Sequence, residues 1–260
     1  MTIIHTIRAF QDNYIWLFHA ENSTSAYVVD PGDAAPVERA LAEFQLNLAG
    51  ILITHHHYDH TGGVAQLVAN HKNVFVYGPA STNFKPLDKK LNEGDSIEIA
   101  DLSFEIFEVG GHTLDHIAYF AQPTNEAPLL FCGDTLFTGG CGRVFEGTPN
   151  QMYQSLQKLS KLPPNTRVFC AHEYTQSNLK FAQAVEPTNQ TLLNRYIETA
   201  KAREIDQTTV PSVLAQELAT NPFLRCAEND VKKSAEQHTG YSLKEPAEVF
   251  RVIRAWKDNF

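Results

Sequence analysis

The chain has 260 residues, 43% of them hydrophobic, with 21 basic against 30 acidic side chains and a formal net charge of −9. That size and apolar content support one large domain or two modest ones, and the acidic balance argues against a binder of nucleic acid or anionic membrane. The opening "MTIIHTIRAFQDNYIWLFHA" lacks the pattern of a secretory leader, no stretch nears the roughly 18–20 apolar residues that span a bilayer, and four scattered cysteines point to a reduced, cytoplasmic protein.

Taken in order, the first two-thirds of the chain alternate short β-like runs with turns and a few helices. "NYIWLFH", "SAYVVDPGD", "AGILITH" and "NVFVYG" are rich in β-branched, aromatic and aliphatic residues, as are "DLSFEIFEV", "HIAYFA", "PLLFCGD" and "TRVFCAH". "APVERALAEF" and "GGVAQLVANH" carry apolar residues at helical spacing between them. "NEGDSIEI" followed by "DLSFEIFEV" alternates in both arms and predicts a hairpin. The mixture implies sheet layers flanked by helices. Beyond about residue 174 the pattern turns helical, in "YTQSNLKFAQAVEP", "NQTLLNRYIETAKARE", "PSVLAQELAT" and "EPAEVFRVIRAWKDNF". The expected division is residues 1–172 and a helical domain of residues 173–260, with no internal repeat.

Residues 53–63 read "ITHHHYDHTGG", with four histidines and an aspartate in six positions directly after an apolar run. The preceding "GILI" predicts a buried strand and "TGGVAQLVAN" a helix, so the cluster falls on a strand-to-helix loop where side chains converge and stay accessible. His55 and His57 alternate and share one side of an extended segment, while Asp59 and His60 follow as the chain turns. Two pairs do not complete a metal shell, so further ligands must come from elsewhere. His112, Asp134 and His172 each follow an apolar strand-like run. With Asp134 bridging, the set divides into His55, His57 and His112 for one metal and Asp59, His60 and His172 for another. A lone histidine is more often structural, and a lone aspartate after glycine more often a turn former or helix cap. The joint occurrence of all seven in this order selects the metal reading. His5, His19, His56, His71 and His238 are read as structural or surface residues.

"THHHYDHTGG", "GGHTLDH", "FCGDTLF" and "CAHEYT" resemble the metallo-β-lactamase-fold hydrolases. Within them, "GDTLFTGGCGRVFEGT", "AHEYTQSNLKFA", "NPFLR" and "RAWKDNF" resemble the hydroxyacylglutathione hydrolases, the glyoxalase II family. The resemblance runs over essentially the whole length. It implies an α+β fold, a four-layer αββα sandwich with a C-terminal α-helical domain that binds substrate. It also implies a dinuclear metal centre and S-D-lactoylglutathione as substrate, cleaved to glutathione and D-lactate in the second step of methylglyoxal detoxification. Arg143, Tyr174, Arg254 and Lys257 are the glutathione-binding positions it points to. Two positions depart from the family: Phe145 where some members have tyrosine, and Asp115 where glycine is usual.

The chemistry follows from the residues. A thioester carbonyl is already electrophilic and its leaving thiolate derives from a thiol of pKa near ~8.5, so generating the nucleophile is the harder task. Two ions about 3.5–4 Å apart hold a water as hydroxide near neutral pH, with Asp59 orienting it and Asp134 fixing the separation. Imidazole and carboxylate ligands suit zinc, with iron and manganese compatible. Arg254 and Lys257 lie three apart on a predicted helix and share a face, suited to a carboxylate. The expected partner is this small molecule alone, acted on by a monomer. A mononuclear-iron glutathione persulfide dioxygenase of the same fold is disfavoured by the long helical C-terminus, a nuclease by the charge, and a non-enzymatic metal-binding protein by the surplus of ligands over one closed shell.

Overall fold

The computed structural model describes all residues, Met1–Phe260. The chain forms two compact units, one of residues 1–108 and 115–133, the other of residues 109–114 and 134–260.

The first unit contains β1 (Thr2–Ala9), β2 (Asn13–Ala20), β3 (Ser25–Val29), α1 (Ala34–Phe44), β4 (Asn47–Leu52), α2 (Tyr58–Thr61) and α3 (Val64–Asn70). It continues with β5 (Phe75–Pro79), β6 (Lys89–Leu91), β7 (Ser96–Ile99), β8 (Leu102–Glu108), β9 (Ile117–Ala121) and β10 (Leu129–Gly133). The strands β1 to β6 form one sheet in chain order, antiparallel as far as β3 and parallel from β3 onward. β7 to β10 form an antiparallel meander. The predicted hairpin is its first pair, with Ile97 opposite Phe104 and Ile99 opposite Leu102.

β2 shows why two layers meet here. Its even positions are Tyr14, Trp16 and Phe18, and Phe18 packs on Phe104 of β8 and Phe131 of β10 at 5.7 and 5.5 Å between ring centres. Its odd positions, Ile15 and Leu17, join Val37 and Leu41 of α1 and Leu67 of α3 in one core. A strand buried on both faces reads as an unbroken apolar run, as "YIWLF" does. One helix differs from expectation: α2 starts at Tyr58, inside the histidine cluster, before Gly62 and Gly63 lead into α3.

The second unit contains β11 (Leu136–Phe137), β12 (Gly140–Cys141), α4 (Pro149–Leu159), β13 (Arg167–Cys170), α5 (Thr175–Val185), α6 (Gln190–Glu204), β14 (Ser212–Val213), α7 (Leu214–Thr220), α8 (Asn229–Thr239) and α9 (Pro246–Asp258). β11 and β12 form a two-stranded hairpin, and β13 pairs antiparallel with β14. Leu179, Ala182 and Leu192 make an apolar seam between α5 and α6. Phe250 of α9 packs on Tyr153 of α4 and on Phe223. No helix is long and apolar enough to cross a membrane.

Candidate metal centre

The first unit places His55, His57, Asp59 and His60 just beyond β4, where the strand's aliphatic residues end and α2 begins. Asp30, directly after β3, organises this cluster. Its Oδ1 accepts from the Thr54 backbone N–H at 2.8 Å, and its Oδ2 accepts from Thr54 Oγ1 at 2.7 Å and from His60 Nδ1 at 3.0 Å. Because the Thr54 hydroxyl hydrogen goes to Asp30, its oxygen is free to accept from His55 Nδ1, 3.1 Å away. Both histidines therefore carry the hydrogen on Nδ1 and turn a lone pair outward on Nε2. His55 Nε2 stands 3.1 Å from His57 Nδ1, and His60 Nε2 stands 3.5 Å from Asp59 Oδ2. Asn13 Nδ2 donates to that same Asp59 oxygen at 3.0 Å. Asp30, His55 and His60 are all buried. His116 stacks on His55 at 4.5 Å, and His56 turns aside to Asp115 at 3.0 Å. The loop sits tightly on the segment after β3, for a Cβ at Gly32 would lie 1.8 Å from the Asp59 carbonyl oxygen.

The second unit brings together His112, Asp134 and His172, all buried. The Nε2 atoms of both histidines converge on Asp134 Oδ2, at 3.4 Å from His112 and 3.3 Å from His172. His112 Nδ1 donates to the Arg143 carbonyl at 2.8 Å, which leaves the lone pair on Nε2. His172 is held flat against Tyr174, ring centres 4.8 Å apart, with Phe137 edge-on at 5.8 Å.

These separations test whether a metal fits. Two ligands at about 2.0–2.1 Å from a tetrahedral zinc lie roughly 3.3 Å from each other. The four ligand-atom pairs above span 3.1 to 3.5 Å. The donors are imidazole nitrogens with lone pairs set by their hydrogen bonds, together with carboxylate oxygens, so the residues fit a divalent cation.

The same unit contains all four expected glutathione-binding positions, and three of them, Arg143, Arg254 and Lys257, gather near Asp258. Asp258 Oδ1 lies 2.9 Å from Arg254 Nη2 and 3.7 Å from Arg143 Nε. Lys257 Nζ donates to the Ser177 carbonyl at 3.3 Å, beside the N-terminus of α5 that Tyr174 caps. Lys257 is half-buried, and burial, reinforced by the nearby Arg254 and Arg143 charges, holds its ammonium below the usual lysine range. Three cations against one carboxylate leave a positive surplus suited to an anion. Arg254 is 5% exposed and spends Nη1 on the Cys141 carbonyl at 3.0 Å. Arg143 is the exposed member and Phe145, also exposed, lies beside His112.

Sequence reasoning passed over Asp30, Asn13, His116 and Asp258. Asp30 had a signal: like Asp134, it is an acid at the end of an apolar strand. Asn13, His116 and Asp258 had none, since each acts through a partner distant in sequence or as one charge among several on a helix.

Residues 9–172 match the family model of the metallo-beta-lactamase superfamily, and residues 173–260 that of the hydroxyacylglutathione hydrolase C-terminus. The chain belongs to the metallo-β-lactamase superfamily and has its fold, with a C-terminal helical domain. ETHE1 from Myxococcus xanthus shares that fold, with a TM-score of 0.65, 22% identity and 98% of each chain covered. TTHA1623, solved in a di-iron-bound form, aligns with a TM-score of 0.52 and 29% identity over 65% of this chain and 91% of its own. Within the superfamily the chain is a member of the hydroxyacylglutathione hydrolases, being 54% identical over the full length of both chains to the one from Pseudomonas aeruginosa. It is thus a metal-binding thioester hydrolase of the glyoxalase II family.

Proposed function

We propose that this chain hydrolyses S-D-lactoylglutathione to glutathione and D-lactate at a centre that holds two divalent cations. His55, His57 and His112 would hold one, Asp59, His60 and His172 the other, and Asp134 would bridge them. Such a pair of ions lowers the pKa of water toward neutrality and polarises a thioester carbonyl. Zinc is the expected metal, and the donor set also accommodates iron or manganese. The two irons of TTHA1623 support the stoichiometry.

The protein's own groups do the rest. Asn13 fixes the Asp59 carboxylate so that it accepts a hydrogen bond from the attacking water and aligns it. Water adds to the carbonyl carbon with loss of one proton to solvent, and the C–S bond breaks. The thiolate leaves without a general acid because its parent thiol is acidic enough, and the lactic acid formed releases its remaining proton to solvent. Arg143 and Lys257 bind the glycine carboxylate of the glutathione moiety, Arg254 adds its charge from beneath, and Tyr174 lines the peptide. Residues 173–260 act as the substrate-binding domain and residues 1–172 as the catalytic one. The four cysteines are buried thiols, which supports a reducing, cytoplasmic setting, and the chain acts there as a monomer.

The observation that carries this reading is the fixed tautomers: Asp30 and the Arg143 carbonyl lock His60 and His112 with a ligand nitrogen outward. The test is hydrolysis of several acyl-glutathiones by purified protein, alongside elemental analysis. Close to two metals per chain with rapid turnover of the lactoyl thioester is the expected result. A single closed zinc without turnover would replace the reading with metal storage.

A further inference from the structure

The hairpin β11–β12 lies between Asp134 and Arg143, and both ends of it matter to the second unit's ligand cluster. Asp134 supplies the oxygen on which two histidines converge, and the Arg143 carbonyl orients His112. Phe137 on β11 packs against His172 and Tyr174. Four side chains from the helical part of the chain hold the hairpin's backbone. Glu217 Oε2 accepts from the Gly139 N–H at the turn, at 2.8 Å. Asn221 Nδ2 donates to the Phe137 and Gly140 carbonyls at 3.2 and 2.9 Å, and Asn178 Nδ2 to the Thr138 carbonyl at 3.2 Å. Arg254 takes the Cys141 carbonyl.

Glu217 is the centre of this arrangement. It is fully buried, pairs with the buried Arg195 through Oε1, and accepts from Asn221 through Oε2 at 3.1 Å. Arg195 is held in turn by Thr220. A buried ion pair does not by itself argue for stability, because well-packed apolar groups often serve as well. This pair has another consequence. Gly139 has φ of +69°, and a Cβ there would lie 2.7 Å from Leu179 Cδ2, so this position of the turn carries no side chain and is held through its backbone. The carboxylate of Glu217 on the Gly139 amide makes a charge-assisted hydrogen bond, stronger than one to a neutral acceptor.

We propose that Glu217, backed by Arg195 and Asn221, is a positioning residue for the metal centre: it latches the β11–β12 turn and so sets Asp134 and the carbonyl that orients His112. This rests on the metal-dependent thioesterase reading. Residues that orient metal ligands cost about 10- to 100-fold in affinity or activity when removed.

The test compares Glu217→Ala and Glu217→Gln with the native chain by zinc affinity in chelator competition, kcat and KM, melting, and hydrogen exchange at Gly139. The expected result is graded. Ala weakens zinc binding by about 10- to 100-fold and lowers kcat with little change in KM, while Gln, which keeps an acceptor oxygen, recovers part of both. In metal-free protein the Gly139 amide exchanges faster in the same order. A lowered melting temperature with native zinc affinity and kcat would overturn the proposal. Should Glu217→Ala fail to fold, Asn221→Ser is read in the same way, and unchanged zinc affinity there also overturns it. If the native chain hydrolyses no thioester, the underlying reading fails, yet Gly139 exchange in the metal-free protein still reports on the latch.

Discussion

At the scale of single residues, the centre depends on which nitrogen of each histidine carries a hydrogen, and Asp30 makes that choice for His60 directly and for His55 through Thr54. Every hydrogen bond given to Asp30 comes from a donor, so it must accept at both oxygens. Asp30→Asn is therefore a severe change despite its shape. With Nδ2 in one position an amide hydrogen faces the Thr54 N–H, and in the other it faces both the Thr54 hydroxyl and His60 Nδ1. We expect a loss of about 10- to 100-fold in metal affinity, measured by chelator competition, with the fold retained by circular dichroism. Lys257 carries a second expectation. Its ammonium deprotonates below the usual lysine range, so the charge proposed to meet a substrate carboxylate is present at low pH and lost as pH rises. KM should climb on the alkaline side before pH reaches the ordinary lysine value of 10.5, with kcat little altered. Lys257→Arg should remove that alkaline rise, and its persistence would assign it to another group. The seven proposed ligands stood out in the sequence because His55, His57, Asp59 and His60 crowd into one short stretch after an apolar strand, and His112, Asp134 and His172 each follow an apolar run. Asp30 also follows an apolar run and was passed over, whereas Asn13 acts through the distant Asp59 and Asp258 is one charge among several on its helix.

At the scale of elements, the apolar strands were readable because burial on one or both faces leaves an alternating or continuous pattern. The elements that escaped bury little. α8 buries only Val231 and Ala235, four apart, within "NDVKKSAEQHT". β11, β12 and β14 are two residues each and exist because other elements hold them, so no local pattern marks them. α4 is a different case. Its start is written in "TPNQ": Thr148 accepts from the Gln151 N–H, Gln151 returns to the Thr148 backbone, and Pro149 fills the first turn. Its apolar stripe of Met152, Leu156 and Leu159 is sparse, and that hid it. Thr148→Ala should cost about 1 kcal/mol of stability by removing the cap. A denaturant midpoint lowered at unchanged slope, with native zinc affinity, would confirm a purely local effect.

For the whole molecule, two electrostatic effects oppose each other. The chain carries a net charge of −9, which repels a glutathione thioester at long range. Arg143, Arg254 and Lys257 outnumber Asp258 and are proposed to attract it at short range. Salt weakens both, with a screening length of about 8 Å at physiological ionic strength. The attraction acts at contact distance near the protein surface, where a unit charge pair still gains several times RT at an effective dielectric near ~20. The repulsion comes from charges spread over the surface, most of them beyond one screening length. In the native chain attraction should therefore dominate, and KM should rise as salt is added. Removing the two cations proposed to meet the carboxylate, in Arg143→Ala with Lys257→Ala, leaves mainly the repulsion. In that variant KM starts high and should fall with salt. A reversal of slope between the two proteins would locate the anion site at this cluster. Parallel slopes would mean that the carboxylate is recognised elsewhere, since no uniform surface field changes the sign of its own salt dependence when two side chains are trimmed.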